Sequence, residues 1–342
     1  MAEGRKILFF LGAGASYAAG AYTPAPGHGK IQIPTQANFW DTFLRLCSNR
    51  ERRRDDIQSF LFRYFRGYAR VPARLSAAER RKFLNGTDVE EVFTFLSERT
   101  RAPSTSVQLK AYANKVWDAL LIEVGNVFSR FEANVDTRTI YRKFLRRHVR
   151  SHDAIVSFNW DTVFEDSLPA NRRWAYAGIE DTVNQLPLLK PHGSVNWGEV
   201  EGEISVVDKP LRAVVVAPTH LKFVSTTKDE KDKKNNLGFA GYLDQAPEIK
   251  AIWSEMEKQM QQAKVLIFIG YSFPVSDLYF SSVLRSVLSG RDSPPSLVIV
   301  NPDAVAIAER LRARFSIENV VRYFDLDQFL QVNRDDVLDQ CV

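Results

Sequence analysis

The sequence contains very little cysteine: Cys47 and Cys341 are the only two in 342 residues. Two cysteines this far apart exclude a disulfide framework and a four-cysteine zinc site, and they are typical of a reducing compartment. Also missing is an apolar run long enough to cross a membrane. The short apolar stretch after Arg5 and Lys6 is interrupted by two glycines, which argues against a signal peptide. We therefore expect a cytoplasmic protein that does not associate with a membrane.

A strong excess of charge of one sign is absent as well. The formal net charge is +5, with 25% charged and 45% hydrophobic residues, as in an ordinary globular protein. This mild basic balance permits an anionic ligand or nucleic acid and requires neither. Histidine is scarce too, and no pair of histidines stands near carboxylates at a liganding spacing. His148 and His152 are four residues apart, but neighbouring arginines would repel a cation. The sequence predicts no metal site.

Short β-rich apolar runs are what the sequence does contain. They are continuous rather than alternating, which is typical of strands buried on both faces of a sheet. The six runs are Ile7–Leu11, Ala154–Phe158, Leu186–Leu189, Ala213–Ala217, Val265–Ile269 and Leu297–Val300. Helical patterns lie among them at Ala251–Lys264, Asp277–Leu288 and Ala304–Phe315. This alternation predicts an α/β, Rossmann-like fold with a mostly parallel six-stranded sheet and helices on both faces.

Residues 36–150 follow a different, helical pattern. The signals are aromatic residues at helical spacing from Phe60 to Tyr68, a capping box of Asp88 and Glu91, and an apolar pattern from Val116 to Phe128. We expect residues 1–35 and 151–342 to form the Rossmann-like domain and residues 36–150 to form a helical insertion domain. The polar segment Thr226–Asn236 is interpreted as a surface loop.

Polar and glycine-rich segments follow five of the predicted strands. They are GAGAS at 12–16, SFNWD at 157–161, KPHGS at 190–194, GYS at 270–272 and VNP at 300–302. Ligands of open parallel sheets bind beyond the carboxyl ends of the strands. The first turn either holds a phosphate or only joins a strand to a helix, because Tyr17 occupies the place of the third glycine of a dinucleotide fingerprint. If the turn does bind a nicotinamide nucleotide, the missing third glycine therefore makes hydride transfer less favoured than other chemistry on that nucleotide.

Each polar residue at these strand ends also has an ordinary structural interpretation. Asn159 and Asp161 are suited to cap and turn positions of a helix at Thr162–Leu168, and His192 to a turn before glycine. Turn or cap uses are equally open for Ser272, Asp277 and Asn301. Five such segments at one edge favour a site over five unrelated turns.

Taken in order, these five segments resemble the motifs of the sirtuin family. There the motifs are a Gly-Ala-Gly turn, an Asn-x-Asp segment, a His-Gly segment, a Gly-Thr-Ser segment and a late Asn. The resemblance covers roughly residues 5–35 and 150–320 and leaves the helical insertion unexplained. It implies a fold that binds NAD+ and cleaves the bond between nicotinamide and ribose.

The resemblance also implies roles for individual residues. Asn159 would lie beside the nicotinamide ribose, Asp161 would meet the carboxamide, and His192 would be the catalytic base. The pyrophosphate and the adenosine half would be bound by Gly12, Ala13, Gly14, Ala15, Ser16, Gly270, Ser272 and Asn301.

One feature of sirtuin deacylases is absent, namely the four-cysteine zinc module that follows the His-Gly motif. Ser194–Arg212 contains no cysteine. The sequence is therefore more similar to the sirtuin-like NAD+ hydrolases of bacterial antiviral systems, which lack that module. This similarity implies NAD+ as the substrate without a metal, and nicotinamide with ADP-ribose or a cyclic form as products. It further implies NAD+ depletion in antiviral defence, controlled by homo-oligomer assembly or by a hexameric partner ATPase of the HerA type.

Three alternatives remain open at this point: a zinc-free NAD-dependent protein deacylase, a sensor that binds NAD without turnover, and a nucleic-acid-binding protein. The last rests on residues 50–74, where RERRRDD and FLFRYFRGYARVPAR interleave arginine with aromatic residues. An amphipathic helix with its aromatic side chains in the core and its arginines in water explains that pattern better.

Overall fold

The computed structural model describes most of the chain. The described residues are 5–25, 29–48, 52–67, 75–208, 210, 212–217, 223–224, 241–242, 246–274, 277–291, 293–317 and 319–341. The predicted loop Thr226–Asn236 lies outside them. The chain divides into two compact units. We call Met1–Tyr22, Glu132–Gly193 and Pro247–Val342 the sheet unit, and Thr23–Phe131 with Ser194–Ala246 the helical unit.

The strands of the described residues are short. They are β1 (Ile7–Leu11), β2 (Tyr22–Ala25), β3 (Gly29–Gln32), β4 (Ala154–Ser157), β5 (Trp174–Tyr176), β6 (Leu186–Leu189), β7 (Gly193–Ser194), β8 (Trp197–Val200), β9 (Glu203–Val206), β10 (Val214–Ala217), β11 (Phe223–Val224), β12 (Gly241–Tyr242), β13 (Val265–Ile269), β14 (Ser296–Val300) and β15 (Val320–Tyr323).

The helices vary more in length. They are α1 (Ala13–Ala18), α2 (Phe39–Leu46), α3 (Arg53–Phe65), α4 (Ala77–Asn85), α5 (Val89–Arg101), α6 (Val107–Phe128), α7 (Val135–His148), α8 (Pro247–Gln262), α9 (Leu278–Ser289), α10 (Ala304–Phe315), α11 (Leu326–Gln331) and α12 (Arg334–Asp339), with short 3-10 helices at Gln36–Asn38 and Glu165–Ser167.

One seven-stranded sheet forms the core of the sheet unit, in the order β15-β14-β13-β1-β4-β6-β5. Every neighbouring pair in it is parallel. From β1 the chain builds outward through β4 and β6 on one side, and later through β13, β14 and β15 on the other. This order is that of a doubly wound sheet, so the predicted α/β, Rossmann-like fold is confirmed. The strand order reverses between β1 and β13, the place where ligands of such sheets bind.

The composition of the sheet differs from the prediction. The run Ala213–Ala217 is not in it, since β10 belongs to the helical unit and pairs antiparallel with β11. A continuous apolar run shows that a strand is buried, and Val214 to Val216 are buried, but it does not identify the sheet. Two strands that were not predicted complete the sheet: β5 and β15 are its outermost strands. Strand β5 has only three residues and β15 is partly exposed, so their apolar signal is weak.

Aromatic packing fixes the centre of the sheet. All residues of β1 and β13 are buried. Phe10 pairs with Phe268 in the parallel register, and their ring centroids lie 4.4 Å apart in a stacked arrangement. Burial of each phenyl side chain contributes about 2–3 kcal/mol. This core holds the carboxyl ends of β1 and β13 in a fixed relative position.

The units divide the chain at other residues than 35 and 150. Helix α7 lies in the predicted insertion but belongs to the sheet unit, because Phe144 packs edge-to-face on Phe9 of β1 at 5.1 Å. Residues 194–246, expected in the Rossmann-like domain, belong to the helical unit.

The helical unit contains α2 to α6. Helix α5 begins as the sequence indicates, since Oδ1 of Asp88 accepts from the main-chain N–H groups of Glu90 (2.7 Å) and Glu91 (3.2 Å). Helix α3 buries Phe60, and Arg63 on the same helix is exposed. That arrangement fits the amphipathic interpretation of residues 53–65; residues 68–74 lie outside the described residues.

Candidate functional site

The turn after β1 lies directly against the turn after β13. The N–H of Gly12 donates to the carbonyl oxygen of Ile269 (2.9 Å), and that of Gly14 donates to the carbonyl oxygen of Gly270 (3.0 Å). The N–H of Ala15 donates to the carbonyl oxygen of Gly12 (2.8 Å). These three donors are engaged inside the protein, so a phosphate at this turn would have to be held by other groups.

The glycines at this junction are required by the backbone itself. A Cβ on Gly12 would lie 2.6 Å from the carbonyl oxygen of Gly270, and one on Gly14 would lie 2.8 Å from the Cα of Gly270. Gly270 has φ of +64°, and a Cβ there would lie 2.0 Å from the nitrogen of Ala15. The resemblance to sirtuins implies a pyrophosphate beside these glycines, and the backbone contact is by itself sufficient to require glycine at all three positions. Ala13 at the tip of the turn is exposed.

The hydroxyl of Ser16 is the centre of a buried polar cluster beneath this turn. The side-chain amide of Asn159 donates to it at 3.1 Å, and it donates to Oδ1 of Asp161 at 3.2 Å. The phenol of Tyr141, on α7, lies 3.4 Å away. Three of the predicted site residues, from the ends of two neighbouring strands, therefore meet at one hydroxyl.

The amide of Asn159 is fixed by a second contact. Its Nδ2 also donates to the carbonyl oxygen of Gly12 at 3.1 Å, and 7% of the residue is exposed. Asn159 is therefore attached to the glycine turn rather than capping a helix. The predicted helix at Thr162–Leu168 is wrong: only a 3-10 turn at Glu165–Ser167 is present.

Asp161 combines a local turn with an unusual charge environment. Its Oδ1 accepts from the N–H of Val163 at 3.1 Å, which is the turn interaction that the sequence also allowed. The residue is 3% exposed. Burial raises the pKa of this carboxyl to about 6, with Glu165 raising it further and Lys190 opposing the shift. Its carboxyl therefore changes charge close to neutral pH.

Two charged residues that the sequence analysis did not select lie next to Asp161. The ammonium of Lys190 is buried and donates to the main-chain oxygen of Asp161 (2.6 Å) and to Oε1 of Glu165 (2.7 Å). The phenol of Tyr176 donates to the same Oε1 at 3.2 Å. Lys190 was visible as the first residue after a predicted strand, but lysine is usually exposed, so its burial carried no sequence signal.

His192 lies among aromatic rings. Its ring centroid is 5.0 Å from that of Phe158 and 6.0 Å from that of Trp253. The indole N–H of Trp253 donates to the main-chain oxygen of Pro191 at 3.0 Å, which fixes the segment before the histidine. Phe158 directly precedes Asn159 in the chain, so the imidazole packs on the residue next to the polar cluster.

The remaining predicted residues have structural partners. The main-chain oxygen of Ser272 accepts from Arg310 at 2.7 Å. The Nδ2 of Asn301 donates to the carbonyl oxygen of Tyr271 (3.4 Å), and its Oδ1 accepts from the N–H of Asp303 (3.0 Å). These contacts correspond to the turn interpretation of the last strand end.

The structure thus brings part of the predicted set together. The glycine turns and Ser16, Asn159 and Asp161 are joined by direct contacts, whereas His192 contacts Phe158, the residue before Asn159. Ser272 and Asn301 lie at the neighbouring strand ends around Tyr271. Within the described part of the chain, no three His, Cys, Asp or Glu side chains are grouped so that they could hold a metal ion. No helix in that part is both long and apolar enough to span a membrane.

Comparisons with known proteins give distant likenesses only. No family model matches the sequence, and no curated protein matches it. A solved Sir2 homologue in complex with NAD is 13% identical, covering 98% of this chain and 90% of the other, with a TM-score of 0.41. A mutant Sir2 homologue in complex with ADP-ribose is also 13% identical, covering 99% of this chain and 92% of the other, with a TM-score of 0.37. These values are too low to support an inference about ligand or activity, and the fold assignment stands on the strand order.

Proposed function

We propose that the sheet unit is an NAD+ glycohydrolase, which releases nicotinamide from NAD+. The supporting observation is the meeting of Asn159 and Asp161 at the hydroxyl of Ser16, beside the point where the strand order reverses. A ligand lying across this edge would pass the exposed Ala13 and reach an amide, a carboxyl and an imidazole. These are the residue types of the motifs that resemble sirtuins.

The proposed reaction requires no covalent bond between the protein and the substrate. The glycosidic bond between C1′ and the pyridinium nitrogen breaks, and its electron pair neutralises the nicotinamide as it leaves. A water oxygen bonds to C1′ of the oxocarbenium-like ribose and loses a proton. In this proposal His192 takes that proton, Asn159 orients the ribose or the water, and Asp161 binds the carboxamide. A positioned general base contributes about 10²–10⁴-fold in rate.

The biological setting of the proposal comes from the resemblance to bacterial antiviral hydrolases. An NAD+ hydrolase that is always active would deplete the NAD+ of the cell. Control by homo-oligomer assembly or by a partner ATPase of the HerA type is therefore part of the proposal. We keep the cytoplasm as the expected location.

Purified protein incubated with NAD+ tests the proposal, with nicotinamide and the ribosyl product followed by chromatography. The assay is run for the protein alone and with a HerA-type ATPase, and each state is sized by light scattering. We expect Asn159→Ala and His192→Ala to lose at least about 10²-fold in turnover. His152→Ala, at a half-exposed histidine of the same unit, serves as the matched control.

Other outcomes select the alternatives. Nicotinamide release only in the presence of an acetylated peptide would favour a deacylase, and NAD+ binding without turnover would favour a sensor. Wild-type turnover in either site variant, or failure of the protein to bind NAD+ at all, would contradict the proposal.

A further inference from the structure

A single buried ammonium connects the two strand ends that carry the polar cluster and the imidazole. Lys190 follows β6 directly, two residues before His192. Its Nζ donates across to the end of β4, to the main-chain oxygen of Asp161 at 2.6 Å and to Oε1 of Glu165 at 2.7 Å. The Lys190 side chain is fully buried, and the exposed fraction of the Glu165 side chain is 4%.

The segment from Lys190 to His192 is a tight turn, so the contacts of the Lys190 side chain also restrain the backbone of His192. The N–H of Gly193 donates to the carbonyl oxygen of Lys190 at 2.9 Å, and Gly193 has φ of +74°. Pro191 restricts the backbone between the two side chains, and Trp253 holds its carbonyl oxygen. Beyond the parallel pairing of β4 with β6, the ammonium therefore adds a direct side-chain connection between the His192 turn and the main chain of Asp161.

Stability alone is a poor explanation for this ion pair. Two fully buried charges lose their hydration, and well-packed apolar side chains of the same size stabilise a protein as much or more. Here one of the two lysine contacts goes to a main-chain oxygen of the site loop rather than to a counter-ion. Among the described residues, the second carboxylate oxygen of Glu165 is buried without a hydrogen-bond partner, which adds a desolvation cost to the pair.

We infer that Lys190 is a positioning residue that ties the Asn159–Asp161 loop to the His192 turn, so that amide, carboxyl and imidazole face one substrate. The inference rests on the proposed function for its catalytic meaning. The attachment between the two loops is a property of the chain that can be measured separately.

The charges around Asp161 supply a signature that a merely structural lysine would not have. The groups that interact with it are Lys190 from the end of β6, Glu165 and Asp166 from the 3-10 turn, Ser16 from α1 and Tyr141 from α7. The positive charge lowers the pKa of Asp161, and the carboxylate of Glu165 raises it. Removing one or the other should therefore move the titration of Asp161 in opposite directions.

The experiment uses the full chain with Lys190→Met, Glu165→Gln and the double variant Lys190→Met/Glu165→Leu. Lys264→Met, at an exposed lysine before β13, is the control. We expect Lys190→Met to lower kcat by about 10²-fold with little change in KM, as misplacement of reacting groups by about 1 Å does. Glu165→Gln keeps an acceptor for the ammonium and should retain most of kcat. The double variant should fold, since it leaves neither the ammonium of Lys190 nor the carboxylate of Glu165 buried without the other, and should still be slow.

Two readouts do not require turnover. Carbon-13 NMR of the Asp161 carboxyl should show its titration midpoint rising in Lys190→Met and falling in Glu165→Gln. Amide hydrogen exchange of residues 158–163 should accelerate in Lys190→Met and in the double variant, but not in Lys264→Met.

The outcomes separate this inference from the proposed function. Wild-type kcat in the double variant, midpoints that move in the same direction, or unchanged exchange in the loop would each overturn the role of Lys190. A wild-type protein that does not hydrolyse NAD+ would contradict the proposed function instead. The NMR and exchange results would then decide the attachment alone.

Discussion

The main chain of Gly14 lies against that of Gly270: the N–H of Gly14 donates to the carbonyl oxygen of Gly270 at 3.0 Å, and a Cβ on Gly14 would lie 2.8 Å from its Cα. Two backbones this close leave no room for a side chain on either residue. The contact joins the ends of β1 and β13, where the strand order reverses. The shape of the candidate site is thus set by backbone contact before any ligand is considered.

Gly270 should not tolerate a side chain, so Gly270→Ala should destabilise the protein whether or not NAD+ binds. Its φ of +64° costs about 1–2 kcal/mol for an L-residue. The new Cβ would also lie 2.0 Å from the nitrogen of Ala15, and such overpacking costs about 1–3 kcal/mol. We expect a loss of about 3 kcal/mol or more in the free energy of unfolding, measured by urea denaturation.

Gly20 provides the matched control for that substitution. It also has a positive φ, +77°, but within the described part of the chain no atom apart from its chain neighbours lies within 4 Å of the position of its Cβ. Gly20→Ala should therefore show the conformational cost alone, about 1–2 kcal/mol. Equal losses at the two positions would show that the backbone contact is less rigid than the structure indicates.

Ser16→Ala tests the centre of the polar cluster. The hydroxyl bonds to Asn159 and Asp161, and both keep one other partner when it is removed. We expect a destabilisation of about 1–2 kcal/mol, and a pKa of Asp161 that rises above about 6, because the Ser16 hydrogen bond lowers that pKa. Ser289→Ala, at an exposed serine of α9, should stay within about 0.5 kcal/mol. An unchanged Asp161 titration would show that the hydroxyl does not bond to the carboxyl in solution.

Most of the fold could be predicted from the sequence because burial on both faces leaves a continuous apolar run. Five of the six predicted runs are in the sheet. The exception is the run Ala213–Ala217: Val214, Val215 and Val216 are buried, but the strand pairs antiparallel with β11, and apolar content does not encode the partner. Strand β15 was missed because Arg322 and two half-exposed valines leave it without a clear pattern.

For the candidate site, the sequence located the segments and not the contacts. The five strand ends meet at one edge because parallel strands share their direction. The contact of Gly12 and Gly14 with Gly270 could not be predicted, since a glycine beside a phosphate and a glycine beside a backbone look alike in a sequence. Lys190 and Glu165 were missed because the sequence does not show which distant residues are in contact. Lys190 lies 29 positions from Asp161 and 25 positions from Glu165 along the chain.

A second buried ion pair fixes α12 to the other end of the sheet. The guanidinium of Arg334 bonds to both carboxylate oxygens of Asp153, at 2.6 and 3.1 Å, and to the main-chain oxygen of Arg5 at 2.8 Å. Asp153 also accepts from the N–H of Ile7 at 2.8 Å, at the start of β1. Arg334→Leu should destabilise the protein by about 3–5 kcal/mol, because it leaves a buried carboxylate without its cation.

A double-mutant cycle separates the ion pair from lost packing. Asp153→Asn keeps an acceptor for Ile7, and the double variant with Arg334→Leu should be less unstable than the sum of the single losses. Arg322→Leu, at an exposed arginine of β15, is expected to change the free energy of unfolding by at most about 0.5 kcal/mol. Additive losses in the cycle would show that the two side chains act independently.

His148 should make stability depend on pH in a direction that can be isolated. Its ring is buried against Phe329, with centroids 4.3 Å apart. Burial first, and then the charges of Arg147, Arg334 and Arg150, lower its pKa from 6.5 to about 4. The folded protein therefore holds this imidazole neutral while the unfolded chain protonates it below about pH 6.5. The associated stability is complete above that pH and is lost as the pH falls towards 4.

Two carboxyl groups act in the opposite direction over the same interval. Burial raises the pKa values of Asp161 and Asp166 to about 6, so their contributions increase as the pH falls. Comparison with His148→Phe, which keeps an aromatic ring on Phe329, removes these terms. We expect wild type to lose about 3 kcal/mol relative to this variant between pH 7 and pH 4, by urea denaturation at each pH. Parallel pH profiles for the two proteins would show that the buried imidazole is not held neutral, because no other group differs between them.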